Sequence, residues 1–227
     1  MTIPPVTLMD APTEGVWRLG WAHNPLEYNR VEPDTFSGSA AGRYSLYSYS
    51  TLYCASTPAG CFAEALATFR IGNKIRELMG NAGVNKPHLM TMGHIPSSWR
   101  EERILVRLIP SDRTQFLDIE TEETRAVLAS DLKEELSAFG VDGQLTDDDL
   151  HGPNRRITRQ IAAWAVAQRN AQGHHLVQGI TFRSGYGGRR CWAILRDTEL
   201  REVERRAIRL EDVALQEVAR EYGLTVR

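Results

Sequence analysis

The sequence predicts an α+β protein with mixed, mostly antiparallel sheets flanked by helices. Two observations carry this prediction. Segments of strand composition come as neighbours, 103–109 with 115–119 and 175–183 with 190–195, and each pair is separated by a short turn signal. The helical patterns do not alternate with these strands in the β-α-β order that a doubly wound parallel sheet requires. At 227 residues, 42% of them hydrophobic, the chain can bury a substantial core. It reads as an extended N-terminal arm over residues 1–14 and a single domain over 15–227, with an insertion at 71–102.

Taken in order, Val16 to Leu19 form a short strand, and the Pro-, Asn-, Asp-, Ser- and Gly-rich run 24–41 is a loop leading into Gly42-Arg43-Tyr44. Ser50 to Ala55 form a second strand. Thr57 then caps a helix over 58–70 with Pro58 at its first position, and Phe62, Ala65, Leu66 and Phe69 make its buried stripe. Residues 71–102 carry scattered glycines and prolines and read as irregular, with one short helix near 74–79. Strands 103–109 and 115–119 are expected to pair with each other through the turn at Pro110-Ser111-Asp112. Helices follow over 122–139, stopped by Gly140, and over 153–170. The second should bury Ile157, Ile161, Trp164 and Ala165 and turn Arg155, Arg156, Arg159 and Arg169 mostly outward. The Gly-rich run 184–189 makes a hairpin of the last two strands, and a helix over 211–222 ends at Gly223.

Composition excludes several function classes. A net charge of −2 from 27 basic and 29 acidic residues leaves no electrostatic footprint for a polynucleotide, although a small anionic ligand stays compatible. Cys54, Cys61 and Cys191 each lie in apolar runs and read as core residues of a reducing compartment. No segment approaches the roughly 18 consecutive apolar residues of a membrane span, and no leader pattern opens the chain, so a cytoplasmic protein is expected. The six histidines lack paired ligand spacing, and Asp147-Asp148-Asp149 lacks a calcium-loop pattern, so no metal site is expected. Gly185-Tyr186-Gly187-Gly188 has the wrong spacing for a dinucleotide fingerprint.

The chemistry concentrates between Arg43 and Arg70. These 26 residues hold one charged side chain, Glu64, where the chain-wide 25% would give about six or seven. Such isolation suggests a buried carboxylate, which needs a partner or a task, with Arg43, Arg18 and Arg183 as candidate partners. Composition leaves a structural ion pair and a working carboxylate equally open. Tyrosines at 44, 47, 49 and 53 and serines at 45, 48, 50 and 56 suit a nucleotide or sugar, and equally a half-buried strand.

Gly42-Arg43-Tyr44-Ser45, Leu52-Tyr53-Cys54-Ala55 and Phe62-Ala63-Glu64 together resemble the first characteristic block of RES-domain proteins, with Arg43, Tyr53 and Glu64 ten and then eleven residues apart. Trp17-Arg18 resembles that family's opening strand, Ile180 to Ser184 its late strand ending in a functional serine, and Trp192-Ala193-Ile194 the strand after it. Many members carry Gly-Gly-Arg-Trp where this chain has Ala41-Gly42-Arg43-Tyr44, and residues 71–102 are longer than a minimal member needs.

The resemblance implies an ADP-ribosyltransferase-like fold and an NAD-degrading toxin that cleaves the nicotinamide–ribose bond. NAD is then substrate rather than cofactor, and inorganic phosphate or water is the acceptor. It implies Arg43, Tyr53 and Glu64 as catalytic residues and Arg18, Tyr44, Arg183 and Ser184 as substrate-binding residues. Glu64 would stabilise the oxocarbenium-like transition state or hold a ribose hydroxyl. Arg43 offers a planar fork for phosphate oxygens, with Arg18 as a second contact or a salt bridge. Tyr53 would stack on nicotinamide or donate its hydroxyl, and without the resemblance Ser184 reads as a turn residue. Glu64→Gln and Arg43→Ala are each expected to remove most NAD loss with the fold intact. A small cognate antitoxin follows by family analogy, and a homo-oligomer stays open. The rival readings are an ADP-ribosyltransferase acting on a macromolecule and a non-catalytic nucleotide-binding module.

Overall fold

A computed structural model of the chain describes residues 4–29, 31, 42–47, 49–70 and 93–227. The first half contains β1 (Leu8–Asp10), β2 (Val16–Trp21), β3 (Thr51–Ala55), α1 (Pro58–Leu66) with a 3-10 turn at Ala67–Phe69, β4 (His94–Ile95), α2 (Ser97–Glu101), β5 (Arg103–Pro110) and β6 (Gln115–Asp118). Helices α3 (Glu122–Asp131), α4 (Lys133–Ser137), α5 (Asp147–His151) and α6 (Arg155–Ala167) follow. The chain continues through β7 (Gly179–Arg183), β8 (Arg190–Leu195), β9 (Leu200–Ala207), α7 (Val213–Tyr222) and β10 (Thr225–Val226). The helix expected near 74–79 lies outside the described residues.

Eight strands form one sheet in the order β1-β6-β7-β8-β3-β2-β5-β9, and β4 and β10 make a small parallel pair. Within the large sheet only β6 with β7 runs parallel. The α+β class with a mostly antiparallel sheet is therefore as expected, but the pairing of β5 with β6 is not. β5 lies between β2 and β9, and β6 between β1 and β7. The turn at 110–112 closes no hairpin. It carries the chain across five places in the sheet, as does the 11–15 connection between β1 and β2. Five inter-strand spacings in a flat sheet are about 24 Å, whereas the chain from Pro110 to Gln115 reaches at most about 17 Å. The sheet must therefore curl until β5 and β6 come within reach of this turn.

That curl creates two cores. Strand alternation sends Leu52 and Cys54 of β3, and Val106 and Leu108 of β5, into a small inner cluster with Val16, Phe116, Trp192 and Ile194. The opposite face, including Ala55 and Leu105, packs under the helices with Phe62, Leu66, Leu128, Ile161 and Leu215. Helix α1 starts as its caps require: Thr57 Oγ1 accepts from Gly60 N at 3.2 Å, and Pro58 occupies the first turn. Gly223 ends α7 at φ 66°, where a side chain would be strained.

Three further readings change. The expected helix over 122–139 breaks at Leu132 (φ −107°, ψ 21°) into α3 and α4. Arg159 is buried on the inward side of α6 rather than turned out. β9 was not anticipated, because its charged sequence LREVERRA looks like a surface coil; it is an edge strand whose exposed charges oppose further pairing.

Candidate active site

At one end of β3, β7 and β8 a cleft of about 810 Å³ opens between the sheet and α1. Arg18, Arg43, Tyr53, Glu64 and Arg183 all line it. Its charge is lopsided for a chain of net charge −2: among the described residues five arginines, at 18, 43, 103, 155 and 183, face one carboxylate, Glu64. A cleft so lined favours an anionic ligand.

Glu64 is exposed to this cleft, not buried as its apolar neighbours suggested. The charge-poor stretch around it is explained by its neighbours: Phe62, Ala63 and Leu66 are fully buried on the other faces of α1, while Glu64 turns to the opening with Ala65 and Thr68 beside it. No ion pair joins it to Arg18, Arg43 or Arg183 among the described residues. It accepts instead a 2.5 Å hydrogen bond from Ser184 Oγ. Ser184, expected as a substrate contact, is only 4% exposed and meets the Glu64 carboxylate. Its own oxygen accepts from Tyr186 N at 3.0 Å, a local turn that fixes the hydroxyl.

The Gly42 to Ser45 turn wraps the Tyr53 side chain. Tyr53 Oη accepts from Tyr44 N at 2.8 Å and lies 3.0 Å from Ser45 Oγ, while a Cβ on Gly42 would collide with the Tyr53 ring. Burial raises the Tyr53 pKa above the usual tyrosine value, although hydrogen bonds with Ser45 and Thr51 pull it back, so the phenol stays neutral.

Arg43 lines the cleft, but its fork is already engaged. Nη1 donates to Leu150 O at 3.1 Å and Gly152 O at 2.7 Å, and Nη2 donates to His151 O at 3.1 Å. These are the carbonyls at the end of α5, where a cation is favoured. Thr158 Oγ1 in turn donates to Arg43 O at 2.7 Å. The planar fork read from the sequence is thus turned onto backbone carbonyls, and Arg43 ties the α5–α6 connection to the Gly42 turn. Tyr44, expected as a substrate contact, is fully buried against Phe182, with ring centroids 4.8 Å apart, and cannot reach a ligand.

Arg18 and Arg183 both line the cleft. Arg18 Nη1 donates to Tyr53 O at 3.1 Å, and neither side chain makes an ion pair within 4.0 Å among the described residues, although the Arg183 charge reaches Asp147. The sequence reading missed Arg103, His151, Arg155 and Tyr186 in the cleft wall. Tyr186 carried a signal, being the one aromatic residue in an otherwise small or charged hairpin run. The others lie in polar segments that resemble any surface.

Beside the cleft, Glu120, Asp147 and His151 bring ligand atoms within 4.8 Å of one another. Their charge is already met. Arg125 Nη2 lies 2.7 Å from Asp147 Oδ1 and 3.3 Å from Glu120 Oε2, and Glu120 Oε1 accepts from Arg183 N at 2.7 Å. Arg125 holds the Asp147 carboxyl below its usual pKa. The cluster is an ion-pair network that ties α3 and α5 to β7. Cys54, Cys61 and Cys191 are buried and free where the cleft meets the core, and burial pushes the Cys61 thiol up to about 12.

Comparison with known proteins bears on the family and the fold. The RES-domain family model matches residues 15–215, and the chain belongs to that family. Its structure is similar to a chain in the crystal structure of the M. tuberculosis MbcT–MbcA toxin–antitoxin complex. The TM-score is 0.50 with 15% identity, over 95% of this chain and 92% of that one, which is a likeness of fold. No curated protein matches the chain. No helix among the described residues is long and apolar enough to cross a membrane.

Proposed function

We propose that this chain is the toxin of a toxin–antitoxin pair and degrades NAD by breaking the nicotinamide–ribose bond. The observation that carries the reading is a single carboxylate, Glu64, held by buried Ser184 inside an arginine-lined cleft. A dinucleotide needs both features: cations for its diphosphate, and one anion where positive charge develops on the ribose. Family membership supports the reading, and the structural relative, solved with an antitoxin, supports a cognate antitoxin here.

In the proposed reaction the bond from ribose C1′ to the nicotinamide nitrogen breaks, and its electron pair neutralises the pyridinium. The sugar gains oxocarbenium character, which Glu64 stabilises by charge or through a ribose hydroxyl. A phosphate or water oxygen then bonds to C1′; with water, a proton is released. Arg18 and Arg183 hold the diphosphate, and the Tyr53 ring walls the nicotinamide side.

The test is NAD consumption by purified protein with and without inorganic phosphate, with products separated by chromatography. ADP-ribose 1″-phosphate formed only with phosphate establishes phosphorolysis, and ADP-ribose in both conditions establishes hydrolysis. Label from NAD transferred to protein establishes the ADP-ribosyltransferase rival. Bound but intact NAD leaves a nucleotide-binding module.

A further inference from the structure

Arg103 forms a partition. It opens β5 with its guanidinium between two indoles, the Cζ 4.0 Å from the Trp21 ring centroid and 4.8 Å from that of Trp99. Nη1 also donates to Trp99 O at 3.1 Å. On one side of Arg103 is the cleft that holds Glu64. On the other is a second pocket of about 400 Å³, lined by Phe69, Ser98, Trp99 and Glu102, that shares Ala65 and Arg103 with the cleft. The two cavities are therefore neighbours across one cation and one methyl group.

We infer that the second pocket takes the adenine end of the dinucleotide, with Arg103 at the diphosphate that passes between the two cavities. This rests on reading the cleft as an NAD site. Its separate grounds are the chemistry of the walls: Phe69 offers an aromatic face to a purine, Trp99 and Arg103 form a stacked rim, and Ser98 and Glu102 offer polar groups to a base edge. Glu102 is an acceptor suited to the adenine amino group. Its side chain is 59% exposed, and its ion pair with Arg103 at 3.6 Å holds it at the partition. The pocket thereby assigns substrate specificity to residues outside the family block: a ligand that ends at the ribose phosphate leaves it empty.

The test compares adenosine monophosphate binding, followed by calorimetry, with KM for NAD and for nicotinamide mononucleotide, which lacks the adenylate. Two variants are used, because Trp99 is too buried to remove safely. Phe69→Ala removes an aromatic wall, and Ser98→Trp fills the pocket from half-exposed α2. Each is expected to weaken adenosine monophosphate binding about tenfold, the scale of one lost base stack, and to cut the preference for NAD over the mononucleotide by a similar factor. If wild type cleaves NAD with both variants unchanged in that preference, the inference is overturned and the cleft reading stands. If NAD is not cleaved but the monophosphate binds wild type and not Ser98→Trp, the function falls and the pocket stands. No binding of the monophosphate by wild type overturns the inference outright.

Discussion

Removing the Arg43 side chain should damage the fold as well as the chemistry. Arg43 donates three hydrogen bonds to the carbonyls of Leu150, His151 and Gly152, and its own carbonyl accepts from Thr158. Bonds from a charged donor are worth about 1.5–3 kcal/mol each, but here they share one half-buried guanidinium, and water can reach part of what is left. We therefore expect Arg43→Ala to cost about 2–3 kcal/mol in total. For a chain of this size each kcal/mol lowers Tm by about 2–4 °C, so the midpoint should fall by about 5–10 °C. Arg43→Lys keeps the charge without the planar fork and should recover about half of that. The assay is thermal unfolding followed by circular dichroism, run beside NAD turnover. Because the anchored connection carries His151 and leads to Arg155, both on the cleft wall, kcat and KM should worsen together. A Tm within about 1 °C of wild type with a tenfold higher KM would refute the reasoning and return Arg43 to the role of ligand fork.

The other predictions are separable by their readouts. Glu64→Gln keeps an oxygen for Ser184 to donate to and sits at an exposed position, so Tm should move little, by about 0.5 kcal/mol or less, while NAD turnover falls at least about a hundredfold; wild-type turnover would sink the assignment. Gly42→Ala drives a Cβ into the Tyr53 ring and should cost about 1–3 kcal/mol in a denaturant titration. His175 has its pKa lowered from 6.5, chiefly by burial and also by Arg169, against the opposing charge of Asp197. Its folded pKa lies below its unfolded one, so the unfolded chain binds more protons in the window just below pH 6.5. The stability from neutral His175 is present above pH 6.5 and is lost as pH falls through the folded pKa; His175→Gln should flatten that part of a Tm-against-pH curve.

Local elements were readable because their causes are local. Thr57 and Pro58 start α1, Gly223 stops α7, and the 3.6-residue stripe of Ile157, Ile161 and Trp164 marks α6 before any fold is known. Short or charged strands escaped for the same reason. β1 has three residues within what reads as an arm, and β9 owes its conformation to pairing with β5 rather than to its own side chains.

The family block, the grouping of Arg43, Tyr53 and Glu64, and the α+β class are legible from the chain alone, because each depends on residues within one or two turns or strands of one another. The tertiary structure decided strand order and the division of labour in the cleft. Arg43 meets carbonyls 107 to 109 residues away, and Ser184 meets Glu64 across 120 residues. Whether an arginine binds a ligand or a loop, and whether an isolated glutamate is buried or open, depends on which distant backbone the curled sheet brings beside it. No spacing in the chain encodes that meeting.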